Sequence, residues 1–303
     1  MKLKSNIMFL LMGLAMFTWG MAWTSAKISN EYLGYNNLVF LRFFVGLLTV
    51  LPFLYKRTLI LSKVSLSTIF NILITSILFF IYNQCFFIGT DIGKPGMGGV
   101  FVTTTNPLIT FIIASIISKE FSALKLFSIG VGVVGGLLIL DFFNQGVSAF
   151  LFSGNQYFIF CSVSWGIMTV IMANGQKRID SIWYIALCYF TTSLIALFFI
   201  NPVEILNYSI YDSRFLVHFL VICSAMSFGT SIYIIASYRL GPVQASTFIF
   251  SVPFIAMLTA YIIINEPLGF NVIIGGLLSL LSIFLVNYVV LPKKYKKTLY
   301  SKY

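Results

Sequence analysis

Ten long apolar runs, separated by short polar breaks, set the pattern of this 303-residue chain. A run of 18 or more apolar residues with few charges indicates a transmembrane helix, because about 20 residues span the roughly 30 Å of bilayer hydrocarbon. The pattern therefore predicts an all-α membrane protein with ten transmembrane helices. The predicted spans are residues 7–26, 36–55, 67–88, 96–118, 123–141, 155–174, 182–200, 214–237, 243–264 and 269–291.

The first predicted span has a second interpretation, a secretory signal peptide. Its apolar run is longer than the about 7–15 residues of a signal-peptide core, and no small-residue cleavage site separates it from the next run. We therefore count it as a membrane span.

Composition agrees with the pattern of runs. Apolar residues make up 59% of the chain and charged residues 9%, with a mean hydropathy of +0.98. Soluble domains are about half apolar and a quarter charged, so a soluble fold is excluded. The four cysteines lie inside apolar runs and lack the spacing of metal ligands or of a disulfide framework.

The net charge of +11 bears on topology rather than on nucleic-acid binding. A nucleic-acid surface gathers its basic residues on one soluble face, whereas here they are spread over the breaks between spans. If successive breaks alternate across the bilayer, fifteen of the 19 Lys and Arg residues lie on one side and three on the other. Basic residues in short loops stay cytoplasmic, so we predict a multi-pass protein of the inner (plasma) membrane with both termini in the cytoplasm.

Scarce residue types recur at a fixed offset of 146 positions. The pairs are Pro107 and Pro253, Glu120 and Glu266, and the dipeptides Trp19-Gly20 and Trp165-Gly166. We therefore predict two five-helix repeats, residues 1–146 and 147–303. Because five is an odd number, the second copy enters the membrane from the opposite side, and such inverted repeats place a transporter's substrate site near the midplane.

The paired prolines, Pro107 and Pro253, lie near the middle of the fourth and ninth spans. Proline removes a helical hydrogen bond and clashes with the carbonyl four residues earlier, so both helices are expected to kink. A kink serves either packing or a hinge beside a binding site, and membrane helices accept both.

Polar side chains accompany the prolines at helical spacing. The trios are Thr103, Asn106 and Thr110 in the fourth span, Gln244, Thr247 and Ser251 in the ninth, and Ser224, Ser227 and Ser231 in the eighth. Spacing of i, i+3 and i+7 predicts one polar face in each span. Such groups either join helices, at about 0.6 kcal/mol each, or supply hydrogen bonds to a polar substrate. Asn106 and Gln244 have no polar counterpart at the offset of 146, as an asymmetric substrate would require.

Aromatic and amide side chains in mid-span predict an amphipathic cavity. The candidates are Trp19, Tyr82, Asn83, Gln84, Trp165 and Tyr233. Packing between helices is the other interpretation of the tryptophans, provided that each indole N–H finds an acceptor.

Arg42 is charged and lies inside the second predicted span. A charge at mid-helix costs about 2.5–3.5 kcal/mol on insertion scales. Arg42 is therefore expected to snorkel to the interface, to clamp a backbone carbonyl, or to contact a substrate carboxylate.

Two further motifs have structural interpretations. Glu120 and Glu266 end their spans, and we expect each beside the N-terminus of the next helix, with Pro267 as a first helical residue. Glycines from Gly130 to Gly136 spell a dinucleotide-binding pattern, but they lie within a predicted membrane span. Their spacing there favours close helix packing.

The ensemble of motifs resembles the drug/metabolite transporter superfamily, specifically its EamA-type members. The resemblance rests on five plus five spans, the two Trp-Gly dipeptides, Leu41-Arg42-Phe43 early in the second span, and the Pro…Glu pattern that ends spans four and nine. It covers nearly the whole chain. It implies a ten-helix bundle that exports or exchanges small metabolites such as amino acids.

The sequence thus predicts a secondary transporter that exports a small polar or amphipathic metabolite by alternating access. A non-transporting membrane subunit or receptor on the same scaffold stays open, and an embedded enzyme is disfavoured because no nucleophile or metal cluster is evident. No cofactor is predicted. Proton coupling and a homodimer are compatible with the sequence, although no acidic residue deep in a span supports coupling.

Overall fold

The computed structural model is helical throughout the part of the chain that it describes. The described residues are 5–55, 57, 64–119, 123–139, 142–144, 154–207, 211–267 and 269–285. Within these ranges there is no strand, which confirms the all-α prediction. The helices are α1 Ser5–Asn30, α2 Tyr35–Val50, α3 Leu66–Ile92, α4 Pro95–Ser118, α5 Ala123–Ile139, α6 Asn155–Gly175, α7 Ser181–Leu197, α8 Pro202–Ile205, α9 Ser213–Ser224, α10 Ser231–Arg239, α11 Pro242–Thr247, α12 Val252–Ile264 and α13 Phe270–Phe284.

Seven helical segments of the described ranges are long and apolar enough to cross a membrane. Three further predicted spans are helical but give shorter apolar helices, Gly130–Ile139, Ser181–Leu197 and Phe270–Ser282. A count of ten membrane spans therefore stays a prediction. One boundary prediction is wrong: α13 begins at Phe270, so Pro267 precedes the helix instead of opening it.

Local chemistry explains where several helices begin. Asp180 and Asp212 accept hydrogen bonds from Ile182 N at 2.9 Å and Phe215 N at 2.7 Å, which satisfies N–H groups that a first turn leaves unpaired. Helix α4 begins instead with Pro95, whose missing N–H costs nothing at that position.

The packing repeats at the offset predicted from sequence. A Cβ added to Gly20 in α1 would overlap Ile255 in α12, and one added to Gly166 in α6 would overlap Ile109 in α4. The offset of 146 joins Gly20 to Gly166 and also Ile109 to Ile255. Each Trp-Gly dipeptide therefore packs against the proline-bearing helix of the other half, at the position two residues after the proline.

Two left-handed residues repeat in the same way. Lys119, with φ 55°, ends α4, and Asn265, with φ 54°, ends α12. They are the positive-φ residues other than glycine in the described ranges, and they also stand 146 positions apart. The helix ends, as well as their packing, follow the repeat.

Contacts between helix ends respect the predicted alternation of sides. Arg57 pairs with Asp180 at 2.5 Å, and the charge pattern places both on the cytoplasmic side. Arg214 pairs with Glu31 at 3.2 Å, and both fall on the other side.

The two halves differ in backbone regularity. Helix α3 is unbroken, but its counterpart consists of α9, a π-helical segment Ala225–Thr230, and α10. Helix α4 continues through Pro107, whereas its counterpart consists of α11, a 3-10 turn Phe248–Ser251, and α12, which carries Pro253 in its first turn.

The glycines of α5 pack within the chain. A Cβ on Gly132 would overlap Leu108 of α4 and come within 2.7 Å of Ser282 Oγ in α13. The packing interpretation is therefore correct for Gly132 and also for Gly136, whose Cβ would meet Phe101 and Thr105 at 3.3 Å, whereas Gly130 faces open space.

Candidate functional site

Four predicted site residues meet where the halves join, and we call them the aromatic cluster: Trp19, Tyr82, Trp165 and Tyr233. The rings of Trp19 and Trp165 are 4.9 Å apart at 89°, an edge-to-face contact. Tyr233 lies 5.0 Å from Trp19 and 5.6 Å from Trp165, and Tyr82 lies 4.7 Å from Trp165. Helices α1, α3, α6 and α10 each supply one ring, so both halves build the cluster.

The polar atoms of the cluster are paired unevenly. Trp19 Nε1 donates to Ala225 O at 3.1 Å, and the hydroxyl of Tyr233 shares a hydrogen bond of 3.1 Å with Thr169 Oγ1. Trp165 is 3% exposed, and its Nε1 has no hydrogen-bond partner among the described residues. A buried donor without an acceptor lowers the stability of the fold, and most buried donors are paired, so the unpaired N–H of Trp165 calls for an explanation.

Helix α4, which packs against α6, carries further buried polar atoms. Asn106 is 2% exposed, and neither its Oδ1 nor Thr110 Oγ1 has a partner among the described side chains and backbone. Thr110 N lies 3.3 Å from the place that a Cβ would take at Gly166, the residue after Trp165. Thr105 and Ser162, on the same two helices, are joined at 2.6 Å. Helix α4 thus packs against α6 close to Trp165, and two residues of its predicted polar face, Asn106 and Thr110, carry buried atoms without a partner in the described part of the chain.

The π-helical segment Ala225–Thr230 is a site feature that the sequence analysis missed. Side chains of other helices bond two carbonyls at its start and one just before it. Ala225 O accepts from Trp19, Met226 O accepts from the Tyr189 hydroxyl at 2.8 Å, and Ile222 O, in the last turn of α9, accepts from Arg42 Nε at 3.1 Å. Such segments occur mostly as single turns in helices and often at functional sites.

The same segment corrects the predicted face of the eighth span. Ser224, Ser227 and Ser231 are spaced for a regular α-helix, but the π turn between them changes the angular step per residue. The three serines therefore do not form the expected face. Ser227 remains of interest because its Oγ is buried and unpartnered within the described residues.

Arg42 is buried rather than snorkelled. It is 5% exposed, and besides its bond to Ile222 O it donates from Nη1 to Asn83 Oδ1 at 2.9 Å. Its guanidinium carbon lies 5.2 Å from the ring centre of Phe86 and 5.8 Å from that of Phe87. The carbonyl clamp is observed, no carboxylate pairs with Arg42 in the described part of the chain, and a substrate contact stays a prediction.

Several predicted site side chains are held by the fold. Asn83 Nδ2 donates to Phe79 O at 2.8 Å, so both ends of its amide are engaged. Gln84 Nε2 donates to Asn36 Oδ1 at 2.7 Å, and Thr103 Oγ1 donates to Gly99 O at 2.5 Å. The polar groups of these three side chains are therefore engaged within the fold.

The predicted polar face of the ninth span is not a single face. Gln244 lies in α11, while Ser251 lies in the 3-10 turn, is exposed, and donates to Phe248 O at 2.9 Å. The side chain of Thr247 lies outside the described residues. Both prolines are buried: Pro107 within α4, and Pro253 in the first turn of α12, where it lines an apolar groove between α12 and α13.

Glu266 binds a helix N-terminus, but of a helix other than the expected one. Its Oε2 accepts from Gly96 N at 2.9 Å and its Oε1 from Met97 N at 3.0 Å, in the first turn of α4. The acid therefore joins the end of α12 to the start of α4 instead of capping α13. Glu120 lies outside the described residues.

No group of three or more His, Cys, Asp or Glu side chains in the described ranges is arranged to hold a metal ion. The clustered chemistry is hydrogen bonding and aromatic contact, which suits binding of an amphipathic molecule.

Comparisons with known proteins agree with this architecture. Residues 6–141 and 152–288 each match the model of the EamA-like transporter family. The uncharacterized transporter YyaM of Bacillus subtilis (strain 168) is 23% identical over 304 residues, covering 96% of each chain. The uncharacterized transporter YvbV of the same organism is 30% identical over 129 residues, covering 42% of each chain. A solved structure titled only "Crystal structure of protein" has a TM-score of 0.60 at 14% identity, covering 92% of this chain and 96% of that one, which shows a shared fold.

Proposed function

Since the chain belongs to the EamA-like transporter family and is a multi-pass membrane protein, we propose that it is a secondary transporter that exports a small, partly polar metabolite, such as an amino acid, across the cytoplasmic membrane. Ten spans, in two inverted halves of residues 1–146 and 147–303, would leave both termini in the cytoplasm.

One observation carries the proposal: the aromatic cluster lies where helices of both halves pack together, and two of the packed helices carry unpartnered buried polar atoms. Trp165 Nε1, inside the cluster, is a buried donor, and Asn106 Oδ1 is a buried acceptor on α4, which packs against α6 at Gly166. A polar molecule in hydrocarbon must receive replacements for its hydrogen bonds to water. Apolar walls with a few polar groups are the usual composition of a small-molecule site.

The mechanism follows from the reciprocal packing. The Trp-Gly face of each half rests on the proline-bearing helix of the other half, at Gly20 with Ile255 and at Gly166 with Ile109. Rocking of the halves about these contacts would open the cluster to one side and then to the other. The atoms that bind substrate all come from one chain, so the cycle does not depend on a homodimer.

The test is flux in liposomes that contain the purified protein, against a panel of amino acids and other small metabolites, in both directions. Asn106→Val is the matched variant, because valine stands at the equivalent position, Val252. We expect the wild type to move at least one compound and Asn106→Val to move it at least tenfold more slowly with an unchanged melting temperature. Failure of the wild type to move any compound would refute the proposal.

Coupling is tested in the same liposomes. With the compound at equal concentration on both sides, net flux driven by an imposed pH gradient identifies proton antiport. Flux that ignores the gradient identifies facilitated transport.

A further inference from the structure

The two tryptophans of the aromatic cluster stand at equivalent positions, but their N–H groups have different surroundings. Trp19 Nε1 donates to Ala225 O at 3.1 Å. The offset of 146 that joins Trp19 to Trp165 joins Phe79 to Ala225, so the equivalent acceptor for Trp165 is Phe79 O. That carbonyl instead accepts from Asn83 Nδ2 at 2.8 Å.

A single pair of residues explains the difference. The counterpart of Asn83 is Gly229, and each lies four residues after the carbonyl in question. A Cβ on Gly229 would lie 2.7 Å from Trp19 Nε1, so only the absence of a side chain lets this indole reach Ala225 O. Asn83 occupies that place in the other half.

Asn83 is also fixed where it is. Arg42 Nη1 donates to its Oδ1 at 2.9 Å, which orients the amide so that its NH₂ group faces Phe79 O. The other polar neighbour of Trp165 is Tyr233, whose hydroxyl shares a hydrogen bond of 3.1 Å with Thr169 Oγ1. The same hydroxyl lies near the Trp165 indole, but not in the geometry of a hydrogen bond to Nε1. The asymmetry at Trp165 is therefore built by Asn83, Arg42 and the pairing of Tyr233 with Thr169.

We propose that Trp165 Nε1–H is the hydrogen-bond donor that the site reserves for its substrate, and that the substrate carries an oxygen acceptor beside an apolar or aromatic body. The indole N–H donates and cannot accept, so it selects carbonyl, carboxylate or hydroxyl oxygens over ammonium groups. Trp19 has the same ring, but its N–H already donates to Ala225 O, so it contributes only aromatic surface to the site. This inference rests on the proposed function, whose central site it deepens.

The first test needs no ligand. Trp19→Phe and Trp165→Phe remove the same atoms from equivalent positions, so they control for each other. Trp19→Phe removes the 3.1 Å bond from the indole to Ala225 O and leaves that carbonyl only the Thr230 hydroxyl at 3.2 Å as a side-chain donor, so it should melt about 2–4 °C below Trp165→Phe in detergent. Equal melting temperatures would mean that the Trp165 N–H has a partner within the fold, and would overturn the inference.

The second test uses three probes that share a phenyl ring: phenylacetate, which only accepts, uncharged phenylacetamide, and phenethylammonium, which only donates. The chain has four tryptophans, so ¹⁵N-labelled indoles give four N–H signals, and Trp165→Phe identifies one of them. We expect phenylacetate and phenylacetamide to shift the Trp165 signal and to leave that of Trp19 in place, and phenethylammonium to shift neither. A Trp165 signal that moves with no acceptor probe, or that moves equally with phenethylammonium, would overturn the inference.

The two proposals fail separately. If a metabolite crosses the liposome membrane but the Trp165 signal does not respond, the transport function stands and the assignment of Trp165 Nε1–H as the substrate donor is refuted. If the Trp165 signal responds but no compound crosses the membrane, the binding site stands and the transport function is refuted.

Discussion

The first half of the chain is regular where the second half is broken. Helices α3 and α4 run without interruption, but their counterparts contain the π-helical segment Ala225–Thr230 and the 3-10 turn Phe248–Ser251. Irregular backbone frees carbonyls, and in a membrane each needs a partner. Two of the partners for the π-helical segment come from the first half, Trp19 and Arg42. The first half therefore supplies side chains that bond backbone carbonyls, and the second half contains the irregular helices that carry those carbonyls.

Equivalent positions show how the copies diverged. Arg42 bonds Ile222 O, and the same offset carries these two positions to Cys188 and Ser76, where Ser76 Oγ donates to Cys188 O at 3.3 Å. A cation in one half is therefore matched by a small neutral contact in the other. Equivalent helices therefore contact each other at equivalent positions in the two halves, but the hydrogen bonds at these contacts differ.

The largest expected effect comes from removing the cation that crosses between the halves. Arg42→Met deletes the bonds to Ile222 O and to Asn83 Oδ1, and hydrogen bonds to charged groups contribute about 1.5–3 kcal/mol each. We expect a loss of about 3 kcal/mol or more in the free energy of unfolding, measured by denaturant titration in detergent.

Arg57→Met is the control for Arg42→Met. Arg57 and Asp180 form an ion pair in which the side chains are 41% and 43% exposed, and such pairs contribute about 0–1 kcal/mol. Similar losses for the two variants would contradict the role of Arg42 as the support of the π-helical segment.

The next largest effect is expected at the two equivalent contacts between the halves, which lie at Gly20 and Gly166. Gly20→Ala and Gly166→Ala each drive a methyl group into the facing helix, and overpacking of this kind costs about 1–3 kcal/mol. We expect both variants to lose stability by the same amount within error, as measured by melting temperature.

A second pair of equivalent glycines serves as the control. Gly130 and Gly276 stand 146 positions apart, and a Cβ on either would meet nothing within 4 Å. Alanine at these positions should leave stability unchanged or raise it by up to about 1 kcal/mol, because alanine favours the helix. A large difference between Gly20→Ala and Gly166→Ala would show that the junctions are not equivalent.

Sequence reasoning found the scaffold because its signals are local and repeated. The Trp-Gly dipeptides and the prolines are scarce residues at one offset, and the structure brings each dipeptide to the proline-bearing helix of the other half. The sequence also predicts Trp19, Tyr82, Trp165 and Tyr233 together as aromatic walls, because polar-tipped aromatic residues lie in the middle of several spans, with packing between helices as the other interpretation.

The missed features depend on backbone atoms that leave no mark in the sequence. Residues Ala225–Thr230 contain no proline, and the side chains around them would suit an α-helix equally well. The acceptor for Arg42 is a carbonyl 180 positions away, which any residue type would provide. The exchange of Asn83 for Gly229 is visible at the offset of 146, but its meaning requires knowing that Phe79 O is occupied.

The smallest expected effect concerns the clasp between Glu266 and the first turn of α4. The two N–H donors belong to Gly96 and Met97, whose counterparts at the other end of the molecule are Pro242 and Val243. Proline has no N–H, so an acid there could accept from only one of the two equivalent positions. We therefore expect the end that holds Glu266, which we propose faces outward, to be closed more tightly than the inner end.

Glu266→Gln should weaken this clasp with little loss of stability. A carboxylate at a helix N-terminus contributes about 0.3–1 kcal/mol, so the outer end should open up to about fivefold more often. Ala260→Cys reports the opening, because Ala260 is buried beside Gly96, and its reaction with a membrane-impermeant maleimide added outside should accelerate accordingly. Glu204→Gln is the matched control, since Glu204 accepts from Gly34 N on the same side but joins other helices. Equal labelling rates in the two variants would show that Glu266 does not hold the outer end closed.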